Sequence, residues 1–581
     1  MAIKIKHKPI PFWHHIFPFL IWLPQVNKQT IRADLIAGIT VALIAIPQSL
    51  AYAQLAGVPA YYGLYASFLP VIIGALFGSS PALSTGPVAM TSLLTAASVM
   101  AIAQFGTDQY NAFVILMALL SGLFQIALGV ARLGVLINFL SYPVLRGFIN
   151  AAAIIIALAQ LPAIMGLKLE HGAHFMIDIL HVIEHLTHTH LPSLMFGLGS
   201  LLSLFLLKRY LPKVPGVLIV VVITTAISYM IGFEVHGGVV VGVIPQGLPS
   251  LSLPPVDLAA SMHMLPAAFI IALISFMEAM SSSKIIAIKT RTKWDENQEL
   301  VGQGLAKVAA AFSNGMPVSG SFSRSALNLA TGAKTGMASI VSAIIVLLTL
   351  LFFTPLLHHL PKPVLAAIIM MAVFSLINIQ TIKDAWLANK QDGSAAIVTF
   401  VATLAFAPNI QNGILTGILL SLMMFLYRTM KPAVVLLGVD KKGHLVSAKQ
   451  HKLPKMHPQI AAIRYDGQLY FANVNYFEES IMYLVSSDPD LTNIIVLGDG
   501  INGLDASGVE MMKNLLESLQ KNNVTLSFCN VKAGVLSVME RTGLLDLIDI
   551  ENFYPSPQDA IKNIEEKLQA DAATPVEGDK E

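Results

Sequence analysis

Apolar segments of close to twenty residues recur along this 581-residue chain until about Tyr427. A helix needs about 20 residues to cross the hydrocarbon of a bilayer, so each segment is long enough to span or nearly span it. The chain is 55% hydrophobic and only 12% charged. The sequence therefore predicts an α-helical membrane protein that crosses the bilayer many times.

Basic residues are distributed unevenly among the loops between these segments. They collect in every second loop, for example at Lys208 and Arg209 and again at Lys284 and Lys289, whereas residues 234–263 contain neither Lys nor Arg. Cytoplasmic loops carry the excess of positive charge, so an even number of spans, about fourteen, places both termini in the cytoplasm. We predict a multi-pass protein of the cell inner membrane.

The chain changes character after His457. Residues 458–581 hold 8 basic and 20 acidic residues, against 36 and 34 in the whole chain. Runs typical of strands alternate there with helical patterns, which predicts a small cytoplasmic α/β domain. The single cysteine, Cys529, excludes an intramolecular disulfide framework and a cysteine-built metal site.

These patterns predict the domain organisation. The start of the chain is basic, is interrupted by prolines and lacks a small-residue cleavage site, so we interpret it as a cytoplasmic interfacial segment and not as a signal peptide. The predicted boundaries are 1–32 for that segment, 33–431 for the transmembrane domain with repeats at 33–233 and 264–431, 432–457 for a linker, 458–568 for the α/β domain and 569–581 for a disordered acidic tail.

Two segments of the membrane region share an order of features. FGSSPALSTGPVAMTS from Phe77 and FSNGMPVSGSFSRSAL from Phe312 both turn at Gly, Ser and Pro, continue through a few extended residues and then start a small-residue helix. Irregular backbone at membrane depth is tolerated only where protein or a cavity satisfies it, which predicts paired half-helices that meet at a central site. Their N-termini would favour an anion. The alternative is a pair of ordinary loops between short helices.

Two ionisable residues lie deep in the apolar region. Glu278 is the carboxylate inside AAFIIALISFMEAMSSSKIIAI, and Arg324 stands in GMPVSGSFSRSALNLATG. Ionisable groups in hydrocarbon are costly and mark transport pathways, so both are candidate site residues. The alternatives are a structural carboxylate that caps a helix or pairs with a base, and an arginine that is paired or extends to the cytoplasmic face.

Three segments carry a family resemblance. The sequence from Ile44 to Met90 (IAIPQSLAYAQLAGVPAYYGLYASFLPVIIGALFGSSPALSTGPVAM), DENQELVGQGLAKVAAAF and GSFSRSALNLATGAKT resemble the signature segments of the sulfate permease (SulP) family. The tail resembles a STAS domain. The resemblance implies seven-plus-seven inverted repeats, a core domain that moves against a gate domain, an anion site between the third and tenth helices, a cytoplasmic STAS domain and a homodimer.

The resemblance also implies where the anion binds. The substrate-binding residues that it carries over are Gln48, Tyr52, Val88, Phe322, Ser323 and Arg324. Some bacterial relatives have a carboxylate where this chain has Gln48, which shifts the expected proton coupling to Glu278. Burial and a nearby anion both raise the affinity of a carboxylate for protons, so proton and substrate would bind together.

Two further motifs lie outside the predicted site. The loop 171–190 is rich in histidine, and His181 and His185 have helical spacing, but no acid or cysteine completes a ligand set. We favour a solvated amphipathic helix over a pH sensor, and we predict no metal and no other cofactor. Ser507 aligns with the phosphorylated serine of bacterial anti-sigma antagonists, yet Ser507 and Glu510 also form an S-x-x-E capping box, which we favour.

Secondary transport is the function that these features favour. No G-x-x-x-x-G-K-[ST] loop is present, which argues against ATP drive, and we predict neither an enzyme nor a nucleic-acid binder. The first reading is proton symport of an inorganic oxyanion, most simply sulfate, by an elevator-like core movement. The second is anion exchange or sodium-coupled transport of bicarbonate or a dicarboxylate. The third is a membrane receptor that signals through its STAS domain.

Overall fold

The computed structural model of the chain describes residues 17–135, 141–167, 175–211 and 214–573. It divides into two compact units, Met1–Ser421 and Leu422–Glu581. The first unit is almost entirely helical, and the second mixes strands with helices. The first half of the predicted interfacial segment 1–32, residues 1–16, falls outside the described residues.

The α-helices of five or more residues in the described membrane region, in chain order, are α1 Lys28–Ala56, α2 Tyr61–Ala66, α3 Leu69–Phe77, α4 Ala89–Met100, α5 Asp108–Val130, α6 Tyr142–Ala159, α7 Leu161–Met165, α8 Phe175–Glu184, α9 Leu191–Tyr210, α10 Gly216–Met230, α11 Leu258–Thr290, α12 Glu296–Phe312, α13 Phe322–Ala330, α14 Met337–Leu348, α15 Lys362–Phe374, α16 Gln380–Ala388, α17 Lys390–Ala405 and α18 Ile410–Met430. Two-residue strands, β1 Thr85–Gly86 and β2 Ser319–Gly320, precede α4 and α13. Seven helical segments within the described residues are long and apolar enough to cross a membrane, and four shorter apolar ones accompany them. The chain is a multi-pass membrane protein.

Several pairs of packed helices in the membrane region have a counterpart pair, in which each helix is exchanged for the equivalent helix of the other half of the region. Helix α1 packs on α14, and its counterpart α11 packs on α5. In the same way α6 packs on α17 and α15 on α9, while α5 packs on α12 and α14 on α3. An exchange of this kind is what two inverted repeats produce. The predicted α-helical fold with paired repeats and a C-terminal α/β domain is confirmed.

Both repeats begin earlier than hydropathy predicts. Helix α1 starts at Lys28 rather than 33, and α11 starts at Leu258 rather than 264. Side chains cap both starts, since Asn27 accepts the N–H groups of Gln29 and Thr30, and Asp257 accepts that of Ala260. A capped helix extends into polar residues beyond the hydrocarbon, where a hydropathy window no longer detects it.

The second unit contains a mixed sheet. Its strands are β3 Ala433–Val439, β4 Leu445–Ser447, β5 Ile460–Leu469, β6 Asn493–Leu497, β7 Ile501–Leu504, β8 Thr525–Cys529 and β9 Phe553–Tyr554, in the order β4-β3-β5-β6-β8-β9, with β7 paired to β5. Strands β5, β6, β8 and β9 run parallel, and β3 is antiparallel to both neighbours. The helices are α19 Val474–Ser487, α20 Ala506–Lys521, α21 Ala533–Arg541, α22 Leu544–Ile548 and α23 Pro557–Ala573.

Apolar side chains fill both faces of this sheet. One cluster holds Phe477, Leu515 and Met539 from the helices α19 to α22, and the other holds Ile564 from α23 together with Cys529. Burial raises the pKa of the Cys529 thiol to about 12, so the only cysteine is an unreactive core residue.

Two predicted boundaries of this unit are wrong. The segment 432–457 is not a linker, because its apolar run at 433–439 forms β3 and pairs with β5 across the sheet. Helix α23 also continues through the predicted disordered tail as far as Ala573, since Ala, Gln and Asp at 569–573 do not interrupt a helix. Residues 574–581 lie outside the described residues.

Candidate functional site

The two matched chain breaks meet as their sequences predict. Strands β1 and β2 pair antiparallel, with Thr85 opposite Gly320 and Gly86 opposite Ser319. The Ser321 N–H donates to the carbonyl of Ser84 at 2.8 Å and extends the pairing by one bond. Backbone that has left helical geometry is thereby satisfied inside the protein, as membrane depth requires.

Side chains from α13 tie the breaks together. The Ser84 N–H donates to Ser325 Oγ at 2.9 Å, and Asn328 Nδ2 donates to the Ala82 carbonyl at 3.1 Å. Both Ser325 and Asn328 are buried. The segment before β1 is therefore held by the helix that follows β2.

A glycine in each strand allows this close approach. A Cβ on Gly86 would lie 2.8 Å from Arg324 Nη2, and a Cβ on Gly320 would lie 2.8 Å from the Ala279 Cα of α11. Gly86 also has a φ of +151°, which other residues rarely adopt. The guanidinium of Arg324 thus packs directly on the first break.

Each break ends in the start of a helix. Val88 is the N-cap of α4 and provides no side-chain cap, whereas the Ser321 side chain caps α13 by accepting the Arg324 N–H at 3.4 Å. The first-turn N–H groups of a helix lack intrahelical acceptors and carry the positive end of the dipole. The antiparallel strand pair brings two such ends into one place, and the uncapped start of α4 leaves its donors to a ligand.

Arg324 is the main cation of the site. It is 2% exposed, and none of its three guanidinium nitrogens has a hydrogen-bond acceptor among the residues that the structure describes. Its charge interacts with Tyr52 and Glu278. Arg324 therefore does not extend to the membrane surface, and its unsatisfied donors match an oxyanion, whose several oxygens would accept them.

Glu278 contacts the second break. Its Oε2 lies 3.0 Å from the hydroxyl of Ser319 in β2, and the same hydroxyl lies 2.8 Å from the Ser275 carbonyl. A hydroxyl has one hydrogen and can also accept, so Ser319 can donate to an ionised Glu278 or accept from a protonated one. The position accommodates both protonation states.

A polar stripe on α12 supports the first break, and the sequence analysis did not identify it. Glu299, Gln303 and Lys307 are spaced four residues apart and are all buried. Glu299 accepts the N–H groups of Ser79 and Ser80 at 2.9 and 3.0 Å. The spacing was a readable signal, because residues four apart share a helix face.

The middle and end of the stripe reach further into the core. Gln303 Nε2 donates to Thr85 Oγ1 at 2.9 Å, which connects α12 to β1. Lys307 Nζ donates to Gln125 Oε1 at 2.8 Å and to the Ser275 hydroxyl.

The structure gathers some of the other predicted substrate residues and leaves others apart. Gln48 and Tyr52 are buried on α1, which packs against α4 and α13. Val88 is buried at the start of α4, as predicted. Phe322 and Ser323 begin α13, but Phe322 is 56% exposed and Ser323 is exposed too. The described residues do not enclose these two side chains.

Ser507 does not cap its helix. Helix α20 begins two residues earlier than the capping box requires, and Asp505 accepts the Gly508 N–H at 2.8 Å as its N-cap. The Asp505 carboxylate also accepts the Phe471 N–H at 3.1 Å. The capping interpretation of Ser507 is therefore wrong, and its phosphorylation stays a prediction.

The histidine-rich loop is described only in part, since His171 and His174 lie outside the described residues. Helix α8 includes His181, whose carbonyl lies 2.8 Å from His185 Nδ1. A different group has ligand atoms within 4.8 Å of one another: Glu234, His358 and His359. Those residues come from two loops that are distant in the sequence, and no spacing could have revealed them.

Comparison with known proteins matches this architecture. The model of the sulfate permease family matches residues 31–403, and that of the STAS domain matches residues 453–560. The chain belongs to the sulfate permease family. It is 33% identical to the probable sulfate transporter 4.2 of Arabidopsis thaliana, over 96% of this chain and 85% of that protein. It is 29% identical to the probable sulfate transporter Rv1739c of Mycobacterium tuberculosis, over 94% and 97%.

Solved structures share the fold. The murine Slc26a9 anion transporter in the inward-facing state superposes with a TM-score of 0.86 at 24% identity, covering 97% of this chain and 96% of that one. The transmembrane domain of the cyanobacterial bicarbonate transporter BicA gives a TM-score of 0.57 at 23% identity, over 68% and 98%.

Proposed function

We propose that this sulfate permease family member is a secondary transporter that moves an inorganic oxyanion, most simply sulfate, together with a proton. The observation that carries the proposal is the β1–β2 pair, which brings two helix starts together beside the unsatisfied guanidinium of Arg324. Relatives at 29 to 33% identity are named as sulfate transporters, which supports this substrate class.

The anion would bind between the starts of α4 and α13. Backbone N–H groups after Val88 would donate to its oxygens, and Arg324 would supply the positive charge. Gln48 and Tyr52 on α1 would line the other side, and Ser323 would add a hydroxyl once the anion is present. These groups replace the hydration shell of the anion with neutral hydrogen-bond donors and one positive charge. Binding is then weak enough for the anion to be released on the other side.

Glu278 would carry the proton. It is only half-buried, so a proton can reach it, and its contact with Ser319 connects it to β2. An anion close to a carboxylate raises the cost of ionising it, so substrate and proton would bind together.

Transport would follow an elevator-like movement of a core against a gate. Helices α1, α3, α5, α11, α12 and α14 pack mainly on one another and surround the site, while α6, α9, α15 and α17 form a second group. The protein would sit as a homodimer in the cell inner membrane with both termini in the cytoplasm, and Ser507 of the STAS domain would be a regulatory position.

Reconstituted vesicles test the function. We expect labelled sulfate to accumulate when the outside is acidified, with sodium replaced by potassium on both sides. The variant Glu278→Gln should lose uphill accumulation while it keeps sulfate–sulfate exchange, and Glu278→Asp should keep both. If transport requires sodium, or if bicarbonate or a dicarboxylate is transported faster than sulfate, the protein is an exchanger or a sodium-coupled transporter of those anions and not a sulfate–proton symporter. Specific binding without any flux would indicate a receptor.

A further inference from the structure

Lys307 is a buried basic residue that the proposed anion site does not use. It is fully buried on α12, and its Nζ donates to Gln125 Oε1 on α5 and to the Ser275 hydroxyl on α11. Both partners are neutral. Hydrogen bonds orient the ammonium, but no carboxylate neutralises it by direct contact among the described residues.

The charge of Lys307 nevertheless acts on the site. Ser275 lies one helical turn before Glu278, and its carbonyl receives the Ser319 hydroxyl that also contacts Glu278. Glu278 interacts electrostatically with both Lys307 and Arg324. Tyr52, the other titratable group beside Arg324, is neutral in its ordinary state.

The remaining buried acid of the stripe, Glu299, is hydrogen-bonded locally and lies apart from Lys307. Glu299 lies two turns from Lys307 on the same helix, and it accepts two backbone N–H groups and the Ser79 hydroxyl. These neutral donors stabilise its charge at the far end of the stripe, and the groups that act on it are Gln303, Ser79 and Ser80 rather than Lys307. Glu278 and the two bases that interact electrostatically with it, Lys307 and Arg324, are the ionisable groups that a bound anion would meet.

We infer that Lys307 matches the core to a divalent anion accompanied by one proton. Counted as an ammonium, a guanidinium and a carboxylate, Lys307, Arg324 and Glu278 give the site one net positive charge. A divalent oxyanion leaves one negative charge, and a proton on Glu278 brings the loaded core to neutrality. Because uncompensated charge is costly at membrane depth, the neutral loaded core crosses most readily. This inference rests on the proposed function and names the residue that selects the charge of the substrate.

Removing Lys307 changes the charge balance in a defined direction. With Arg324 and Glu278 alone the site has no net charge, so a divalent anion with one proton leaves an uncompensated negative charge. A monovalent anion with one proton leaves none. The variant Lys307→Met should therefore shift selectivity from divalent to monovalent anions.

The test is the ratio of labelled sulfate uptake to labelled chloride uptake in vesicles under an inward proton gradient. We expect Lys307→Met to lower this ratio by about tenfold or more, because the loaded core would then carry an uncompensated negative charge with sulfate. A tenfold change corresponds to about 1.4 kcal/mol. Lys307→Arg should keep the wild-type ratio. An unchanged ratio in Lys307→Met would overturn the inference.

A charge relocation separates charge from folding. The double variant Lys307→Gln with Gln125→Lys places the cation on α5 opposite its original position, because Lys307 and Gln125 contact each other. We expect it to restore the sulfate preference that Lys307→Gln loses; failure to do so in a correctly folded protein contradicts the inference. If the unmodified protein shows no proton-driven sulfate flux, the proposed function itself is wrong. If that flux is normal but the Lys307 variants leave the sulfate-to-chloride ratio unchanged, only this inference is wrong.

Discussion

The two chain breaks share a backbone plan but differ in what their side chains contribute. The first break, residues 78–88, is uncapped at Val88 and is held from outside by Glu299 and Gln303 of α12. The second break, residues 313–321, contributes its own cap at Ser321 and contacts Glu278 through Ser319.

This difference suggests a division of labour between the repeats. The first repeat would provide backbone N–H donors after β1, which Gln303 of α12 holds in place. The second repeat would provide Arg324 and the hydrogen bond from Ser319 to Glu278. Duplication provides two equivalent helix starts, whereas the ionisable groups need to occur only once.

The largest effect should come from Arg324, the charge on the helix that follows the second break. Arg324→Met removes the guanidinium that packs on Gly86, and we expect sulfate uptake to fall by about 100-fold, because losing one partner of a buried charged interaction costs about 2–5 kcal/mol. Arg209→Met, at an exposed arginine on α9, serves as the matched control. Uptake above a tenth of the wild-type rate would remove Arg324 from the site.

An intermediate effect should distinguish two buried carboxylates that accept backbone N–H groups: Glu299, which holds the first break, and Asp34, which holds the segment after α13. Glu299→Gln weakens the acceptor for Ser79 and Ser80, and we expect about 2 kcal/mol of lost stability with a clear loss of uptake, as Glu299 braces the segment that leads into β1. Asp34→Asn is the comparison, because Asp34 accepts the Lys334 and Thr335 N–H groups after α13 has ended. It should lower thermal stability by a similar amount but affect sulfate affinity less. Equal losses of affinity would argue that neither support is specific to the site.

The smallest effect should come from exchanging the caps. Val88→Ser gives α4 a side chain that competes for its free N–H groups, so we expect a rise of about threefold in the sulfate concentration for half-maximal uptake. Ser321→Ala should instead lower the free energy of unfolding by about 1 kcal/mol, because it removes the hydrogen bond of 3.4 Å that caps α13. The melting temperature should fall slightly as a result. Reversed results would mean that the second helix start, not the first, donates to the anion.

The sequence was sufficient for the architecture and for the existence of the breaks. Their shared order of glycine, serine and proline predicted that they would meet, and Glu278 and Arg324 stood out because charge is rare in apolar segments. The register of β1 on β2 was not predictable, since it joins residues more than two hundred positions apart.

Other features required tertiary contacts to interpret. Lys307 lies in a readable four-residue spacing, yet its role depends on Gln125 and Ser275 from two other helices. The S-x-x-E pattern of Ser507 and Glu510 predicts a cap at Ser507, but β7 ends at Leu504, so the helix begins directly after it and Asp505 is the N-cap. The apolar run of β3 follows the last span too closely for composition to separate them.

The most direct test is a structure with selenate, whose selenium can be located by anomalous scattering and whose oxygens resemble those of sulfate. The account predicts one selenium peak between the starts of α4 and α13, with selenate oxygens within hydrogen-bond distance of the N–H groups that follow Val88. A peak elsewhere in the membrane region, with none beside the β1–β2 pair, would contradict it.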